Sequence, residues 1–213
     1  MEKSSNIIIL GPQGSGKGTQ AKLLSEKFGY YYVGTGDASR EVAATDTPLG
    51  QRVKGLITSG QLVDDETITE ILKQKLLSIG SVQPVVLDGY PRNEKQYELL
   101  KNLWRELGRK DYVFVNIELA EEAAVARLSS RFICAKCGAI YIGNKGPCAK
   151  CGGELVQRED DRPDGVRKRL AIYNERTRPM IERIRHDNQQ IFDIDGSPSV
   201  EDVHREILKK LKL

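Results

Sequence analysis

Residues 11–19 have the sequence GPQGSGKGT, in which four glycines accompany a serine and a lysine. An apolar run at residues 7–10 precedes them, and a helical pattern at residues 21–28 follows. Backbone N–H groups surround a polyphosphate only where side chains do not obstruct them, and Lys17 adds a mobile cation for the outer phosphates. The pattern G-x-x-x-x-G-K between a strand and a helix predicts a nucleoside triphosphate site rather than an ordinary glycine-rich turn. The expected contacts are Gly14, Ser15, Gly16, Lys17, Gly18 and Thr19.

The position after Lys17 departs from the general motif, because Gly18 stands where serine or threonine is usual and Thr19 follows one step later. The hydroxyl that commonly contacts magnesium is therefore displaced. Either Thr19 reaches the phosphates from the next helical position, or the metal is held mainly through water and a carboxylate elsewhere.

Asp88 follows a second apolar run, residues 85–87, and precedes Gly89 and Arg92. In P-loop proteins a carboxylate at a strand end orients magnesium and its waters. We expect this role for Asp88 rather than that of a strand-end turn residue, because the nearby arginine suits a crowded phosphate site.

All four cysteines lie in two C-x-x-C pairs that ten residues separate. This spacing is typical of a metal site and not of a disulfide framework. Two such turns close a tetrahedron of thiolates around one Zn²⁺ and leave no position for water, so we expect a structural zinc site. A single iron is the alternative metal, and free thiols or a redox pair are the alternatives to a metal site. The expected ligands are Cys134, Cys137, Cys148 and Cys151.

The composition is that of a globular protein with one full core and small insertions: 213 residues, 39% of them hydrophobic and 30% charged. The net charge of +3 arises from 33 basic and 30 acidic residues, so no global field favours nucleic acid or an anionic membrane as a partner. The short N-terminal stretch before Gly11 predicts neither a secretory nor a membrane-spanning segment, and we expect a cytoplasmic protein.

Strand and helix patterns alternate along the chain. Strands are predicted near residues 7–10, 30–33, 85–88, 112–117 and 191–194. Helices are predicted near residues 21–28, 37–44, 48–59 and 64–77, then after Arg92 to about residue 107, and near residues 120–130, 164–187 and 199–210. This alternation predicts a doubly wound parallel α/β sheet with ligands at the carboxyl ends of its strands. The segments near residues 36–65 and 132–163 lack core strand patterns, so we expect them to be insertions that project over the site.

The chain resembles the adenylate kinases that carry a metal-bearing lid. The matching motifs span the whole sequence: the phosphate loop with Gln20, then Thr35-Gly36-Asp37 with Arg40, Gly60-Gln61-Leu62-Val63, Asp88-Gly89-Tyr90-Pro91-Arg92 with Gln96, Arg127 with Arg131, the cysteines, Arg158 with Asp160 and Asp161, and Arg167-Lys168-Arg169-Leu170. The resemblance implies a P-loop core of five parallel strands at residues 1–34, 66–131 and 164–213. It also implies a nucleoside monophosphate (NMP)-binding segment at residues 35–65 and a zinc-binding lid at residues 132–163.

The resemblance further implies reversible, magnesium-dependent phosphoryl transfer from ATP to AMP, giving two ADP. The positions that match its AMP site are Thr35, Arg40, Gln61, Leu62, Val63, Gly89, Tyr90, Pro91, Arg92, Gln96, Arg158 and Arg169. Gln96 argues for AMP, because an amide donates to a ring nitrogen of adenine and accepts from the exocyclic amine, whereas relatives that prefer pyrimidines carry asparagine near this place. The further positions that match the ATP site are Arg127, Arg131, Ile140, Tyr141 and Pro198.

The chain also departs from this family pattern in a few places. Gln13 replaces a usual proline, Tyr90 a phenylalanine, Ala38 and Ser39 larger apolar residues, and Pro198 a residue whose carbonyl commonly faces adenine. These differences affect the expected kinetics, lid shape and donor preference, and not the reaction class.

Arginines suffice for this chemistry because the attacking oxygen belongs to a phosphate that is mostly dianionic at neutral pH, so no general base is needed. The protein must align two nucleotides and surround the transferred group with cations. The expected catalytic cations are Lys17, Arg92, Arg127, Arg131, Arg158 and Arg169, with Arg40 as a further candidate. We expect Arg127 and Arg131 to share one helix at i, i+4 spacing, where like charges favour an anion between them.

Closure of both insertions is expected to expel water, which competes with AMP as acceptor, and zinc is expected to keep the small lid folded while it moves. A kinase for another monophosphate, or one with GTP as donor, stays open as an alternative. A P-loop protein whose zinc ribbon binds nucleic acid through Lys136, Lys145 and Lys150 is less consistent with the sequence, because interleaved aromatic residues are lacking. A nucleotide-gated scaffold without transfer is the third class. We expect a monomer.

Overall fold

The computed structural model describes residues 6–58, 63–80, 82–109, 111–143, 146–157 and 161–213. The strands are β1 (Asn6–Leu10), β2 (Tyr31–Gly34), β3 (Val85–Asp88), β4 (Tyr112–Glu118), β5 (Arg131–Cys134), β6 (Ile140–Ile142), β7 (Leu155–Val156) and β8 (Ile191–Asp195). The helices are α1 (Lys17–Phe28), α2 (Thr35–Ala43), α3 (Pro48–Thr58), α4 (Asp65–Ser78), α5 (Glu94–Glu106), α6 (Glu121–Ser129), α7 (Pro163–Ile172), α8 (Arg178–His186) and α9 (Val200–Leu211). A π-helical turn, Tyr173–Thr177, joins α7 to α8.

The main sheet has five parallel strands in the order β2-β3-β1-β4-β8. This confirms the α/β class and the doubly wound parallel sheet predicted from the alternation of strands and helices. The strand order changes direction at β1, and ligands of such sheets bind at the carboxyl edge beside that change. The register pairs Ile9 with Asp88 and Gly34 with Asp88, so the ends of β1, β2 and β3 meet at this edge.

Alternate residues of the central strands supply two apolar layers, because successive side chains of a strand point to opposite faces. On one face, Ile8, Leu87 and Phe114 pack with α4, α5 and α8. On the other, Ile9, Val86 and Val115 pack with α1 and α9. The sheet is therefore buried on both sides and forms a rigid base for the loops at its carboxyl edge.

The segment after α6 forms a small antiparallel sheet in the order β6-β5-β7. Helix α6 ends at Ser129, and Arg131 begins β5, opposite Ile142. The expectation that Arg127 and Arg131 share one helix is therefore wrong. The apolar residues Ile133, Ile140 and Val156 pair across this sheet, and that pairing overrides the helical spacing of the two arginines.

Two helix starts follow their sequence signals. Asp64 Oδ1 accepts the Thr67 N–H at 2.9 Å at the start of α4, and Ser199 Oγ accepts the Asp202 N–H at 3.1 Å at the start of α9. This bond is one half of a capping box, and the Ser199 hydroxyl also donates to Asp202 Oδ2 at 2.7 Å. Among the described helices, none has the length and apolar character needed to cross a bilayer.

Candidate active site

The glycine loop leads from β1 into α1, and Lys17 is the first residue of that helix. Its Nζ donates to the Pro12 carbonyl oxygen at 2.7 Å, which holds the ammonium over the loop. Burial lowers the pKa of Lys17 to about 8, although the carboxylate of Asp88 acts in the opposite direction. A buried ammonium without a full counter-charge is electrostatically suited to a polyphosphate.

Ser15 is 2% exposed, and its Oγ has no hydrogen-bond partner within the described part of the chain. Buried hydroxyls in proteins are usually paired, so this one indicates a missing polar partner. Its place in the loop, at a helix N-terminus, fits the oxygen of a phosphate group.

Asp88 lies against the first turn of α1. A Cβ atom at Gly18 would stand 3.1 Å from Asp88 Oδ2, a tight contact that the glycine avoids. Burial raises the pKa of Asp88, while Lys17 and Arg92 favour its charged form. A carboxylate beside the first turn of α1 is a candidate for holding magnesium through water, the second of the two arrangements expected from the sequence.

The residues that follow Asp88 meet the start of α2. Thr35 is buried, and its Oγ1 donates to the Gly89 carbonyl oxygen at 2.9 Å. Arg92 Nε donates to the same oxygen at 2.6 Å. Thr35, Gly89 and Arg92 therefore form one contact group, and the Arg92 side chain is exposed.

Gln96 is 6% exposed, and both ends of its amide have partners. Its Oε1 accepts the Arg92 N–H at 2.8 Å, and its Nε2 donates to Asp65 Oδ1 at 2.7 Å. One N–H and one lone pair of the amide are left for a further ligand.

Other predicted AMP-site residues have structural partners in the chain. Tyr90 is fully buried, and its hydroxyl lies 2.7 Å from Thr69 Oγ1. Pro91 is buried beside it. Arg40 forms an ion pair with Asp37, and Val63, just before α4, packs against the apolar core. The predicted site residues Gln61, Leu62 and Arg158 lie outside the described residues.

Two of the predicted catalytic arginines converge on one carboxylate. Asp161 is fully buried and accepts from Arg131 Nε at 2.8 Å, from Arg131 Nη2 at 2.6 Å and from Arg169 Nη2 at 2.9 Å. The two-pronged contact with Arg131 fixes the plane of the guanidinium. Asp161 belongs to the motif that begins at Arg158, but the sequence alone indicated no role for it.

Arg127 belongs to α6, and its side chain contacts the loop between β8 and α9 instead. Its Nη1 and Nη2 donate to the carbonyl oxygens of Gly196 and Ser197 at 2.7 and 2.9 Å. Arg127 is thus held by the two residues that precede Pro198, and it has no contact with Asp161 among the described hydrogen bonds.

The four cysteine sulfurs lie within 4.8 Å of one another, and none of them forms a disulfide. A tetrahedral Zn²⁺ with Zn–S bonds of about 2.3 Å needs sulfurs about 3.8 Å apart, so the cluster fits the metal. The two turns have the same geometry, with Gly138 N–H bonded to Cys134 O, Gly152 N–H bonded to Cys148 O, and a φ of +68° at each glycine. Tyr141, predicted near the donor nucleotide, has its hydroxyl 3.3 Å from Cys148 Sγ, and Ile140 is exposed beside it.

Sequence reasoning missed three residues that hold this site: Asp65, Asp161 and Thr177. Thr177 Oγ1 donates to the Arg92 carbonyl oxygen at 2.7 Å, from 85 residues further along the chain. No local sequence pattern predicts a contact between residues this far apart in the chain. The run of three acidic residues at positions 159–161 was the one available signal, since a carboxylate near several arginines is typical of an ion-pair cluster.

Comparison with known proteins gives consistent results. The family model described as adenylate kinase matches residues 9–189. Adenylate kinase from Archaeoglobus fulgidus is 40% identical over 216 residues, which cover 97% of this chain and 99% of the relative. Adenylate kinase from Thermosipho melanesiensis is 40% identical with the same coverage, and adenylate kinase from Clostridium tetani is 38% identical over 95% of this chain and 96% of the relative.

Proposed function

This chain belongs to the adenylate kinase family, and we propose that its cleft transfers the terminal phosphoryl group of magnesium-bound ATP reversibly to AMP, giving two ADP. The observation that carries the proposal is one sheet edge at which two groups of residues meet. Lys17 and Ser15 belong to the phosphate loop, and Thr35, Arg92 and Gln96 lie on the neighbouring side of Asp88.

Lys17, the loop N–H groups and Ser15 Oγ are proposed to bind the β- and γ-phosphates of ATP, with Gly14, Gly16, Gly18 and Thr19 completing the loop. Asp88 would hold magnesium through its waters; when bound, the ion neutralises charge on the donor phosphates. Arg127 and the main chain near Pro198, with Ile140 and Tyr141, are proposed to border the donor base.

Thr35, Arg40, Val63, Gly89 and Arg92 are proposed to surround AMP, with Gln96 at its adenine. Tyr90 and Pro91 support this side from the core, and Gln61, Leu62 and Arg158 complete the proposal from sequence. Arg92, Arg131 and Arg169 supply positive charge to the phosphoryl group in the transition state, where the negative charge lies on its equatorial oxygens. No general base is required, because the AMP phosphate is already an anion.

We also propose the division of the chain into a core of residues 1–34, 66–131 and 164–213, an NMP-binding segment of residues 35–65 and a lid of residues 132–163. The small lid sheet has little apolar core of its own, and the fit of the cysteine cluster supports Zn²⁺ as its structural metal. We propose a cytoplasmic monomer.

The direct test is the formation of ADP from ATP and AMP with magnesium, followed in both directions. An acceptor screen at fixed ATP and a donor screen at fixed AMP identify the bases that the protein uses. AMP and ATP are expected to give the highest kcat/KM; preference for another monophosphate or for GTP would replace the proposed substrates with those nucleotides.

The roles of the arginines are tested with Arg92→Ala and Arg131→Ala. Each is expected to lower kcat about a hundredfold or more, because it removes charge stabilisation that the transition state needs. Thermal unfolding is expected to change far less in Arg92→Ala. In Arg131→Ala stability is expected to fall as well, because the buried carboxylate of Asp161 keeps only its contact with Arg169. Arg205→Ala is the matched control, since Arg205 is exposed on α9 and pairs with Asp202. Equal loss of kcat and of stability in Arg92→Ala would reject its catalytic assignment.

A further inference from the structure

The amide of Gln96 is held in one orientation by two neighbours of opposite hydrogen-bonding character. The Arg92 N–H requires an acceptor at one end and meets Oε1 at 2.8 Å, while Asp65 Oδ1 requires a donor at the other end and meets Nε2 at 2.7 Å. A flipped amide would place two donors together and two acceptors together. Reversal therefore breaks both hydrogen bonds and sets two donors and two acceptors against each other in a partly buried place.

Asp65 is itself fixed. It is the first residue of α4, and the same Oδ1 accepts from Asn93 Nδ2 at 2.9 Å. Asn93 caps α5 through its Oδ1, which accepts the Gln96 N–H at 2.8 Å, so the orientation of the Asn93 amide is also determined. Asp65 thus joins the starts of α4 and α5 and touches Gln96 from a position that neither the motif nor the spacing indicated.

The fixed orientation of the Gln96 amide determines which purine pattern it can pair with. Because the positions of Nε2 and Oε1 are fixed, the remaining N–H donor and the remaining lone pair of the Gln96 amide cannot exchange places. Adenine presents a ring acceptor beside an amine donor, whereas a 6-oxopurine presents a ring N–H donor beside a carbonyl acceptor. An amide free to flip accommodates both patterns, and an amide held in one orientation accommodates one.

We propose that Asp65 is a positioning residue for acceptor specificity: through Gln96 it makes the site select 6-aminopurine over 6-oxopurine monophosphates. This rests on the proposed function, because it assumes that AMP is the acceptor. Asp65 does not touch the base. It acts by raising the free energy of the Gln96 orientation that a 6-oxopurine needs.

The test compares AMP with IMP. IMP carries the 6-oxopurine donor and acceptor pattern, and unlike GMP it has no additional amine that could change its binding. Asp65→Ala is expected to lower the AMP-over-IMP ratio of kcat/KM about tenfold, the scale of one hydrogen bond to a charged group. The change is expected mainly as a lower KM for IMP, while the KM for AMP rises about twofold at most, because the Arg92 N–H still favours the orientation that AMP needs. The kcat with AMP and the KM for ATP are expected to change less than about twofold. Asp65→Asn is expected to keep most of the selectivity, because Asn93 Nδ2 continues to require an acceptor at that place.

Two controls separate this role from a structural one. Glu66→Gln removes a carboxylate from the same helix start, where Glu66 pairs with Lys95 on the surface, and it is expected to leave the AMP-over-IMP ratio unchanged. In a Gln96→Ala background, Asp65→Ala is expected to have no further effect on that ratio. If Asp65→Ala does not fold, Asp65→Ser takes its place with the same expected values.

An unchanged ratio in folded Asp65→Ala, or an equal effect in the Gln96→Ala background, would overturn this inference alone. A wild-type protein that forms no ADP from AMP would contradict the proposed function and this inference together.

Discussion

Thr177 donates a hydrogen bond from Oγ1 to the carbonyl oxygen of Arg92 at 2.7 Å. Thr177 is the last residue of the π-helical turn, and it is 7% exposed. Because the Arg92 N–H is bonded to Gln96, the main chain of Arg92 is held from both sides. A local widening of the helix thus bears on the placement of a proposed catalytic side chain, in keeping with the frequent occurrence of π-turns at functional sites.

Replacement of this hydroxyl is expected to reduce turnover more than stability. Thr177→Val keeps the shape but leaves the Arg92 carbonyl without its partner, at a cost of about 1–2 kcal/mol. We expect kcat/KM for AMP to fall several-fold, measured at saturating ATP. Thr177→Ser keeps the donor and should restore most of the activity; equal defects in both variants would contradict a role for the hydrogen bond.

The carboxylate of Asp161 is expected to be a major contributor to stability. Asp161→Asn leaves the guanidinium groups of Arg131 and Arg169 partly buried without their counter-charge. Breaking one side of a buried ion pair costs about 3–5 kcal/mol, and the partial exposure of both arginines places the expected loss near the lower end. Denaturant unfolding measures it. Glu98→Gln, at an exposed pair with Lys101, is the matched control and should show a much smaller effect.

Nucleotide binding is expected to change the protonation of Lys17. Burial lowers the pKa of its ammonium to about 8. Phosphate anions favour the charged form, so binding of magnesium-ATP at pH 8 should take up about half a proton. Titration calorimetry in two buffers of different ionisation enthalpy measures this uptake. The uptake should disappear in Lys17→Met, and its persistence there would assign the proton to another group.

Removal of the metal is expected to unfold the lid sheet before the core. Chelation withdraws the cross-link among four cysteines whose sulfurs lie within 4.8 Å. We expect a lower melting temperature with verified loss of zinc, while the affinity of the phosphate loop for ATP changes less. Readdition of Zn²⁺ should restore the original melting curve. Unchanged melting after metal removal would contradict a structural role.

The stability of the protein is expected to fall in mildly acidic solution because of His204. Gln20 Nε2 donates to Val200 O, so Gln20 Oε1 faces His204 Nδ1 at 2.9 Å and that nitrogen bears the proton. The other ring nitrogen is buried and has no partner within the described part of the chain. Burial therefore lowers the pKa of His204 below its usual 6.5.

The direction of the effect follows from proton binding. Below pH 6.5 the unfolded chain binds a proton at His204 that the folded protein resists, so the free energy of unfolding decreases as the pH falls. Urea unfolding between pH 8 and pH 5 should show this loss in the wild type and a smaller one in His204→Gln. His186→Gln, at a highly exposed histidine, should behave as the wild type does. Equal pH slopes in wild type and His204→Gln would exclude His204 as the cause.

Much of the fold was predictable because its signals are local. The apolar runs of β1, β3 and β4 and the helical patterns between them specify a parallel α/β sheet. The glycine loop before α1 and the two C-x-x-C turns carry their chemistry in the spacing of a few residues. Both were expected from the sequence, and the structure has the loop between β1 and α1 and the four sulfurs in one cluster.

The arrangement of the charged side chains was less predictable. Arg131 was expected on a helix, yet it begins strand β5, because pairing with Ile142 and its neighbours outweighs helical spacing. Gln96 was expected at the adenine, but the orientation of its amide depends on Asp65, 31 residues away.

The sequence by itself determined the order of strands and helices, the phosphate loop and the metal-binding cysteines, since each is encoded by residues within one or two turns of one another. The tertiary structure decided which carboxylate meets which arginine and how Arg92 and Gln96 are oriented. The contacts of Asp161 with Arg131, of Asp65 with Gln96 and of Thr177 with Arg92 join residues 30 to 85 positions apart. They form only when the sheet has brought distant segments together, where burial makes every unpaired polar group costly.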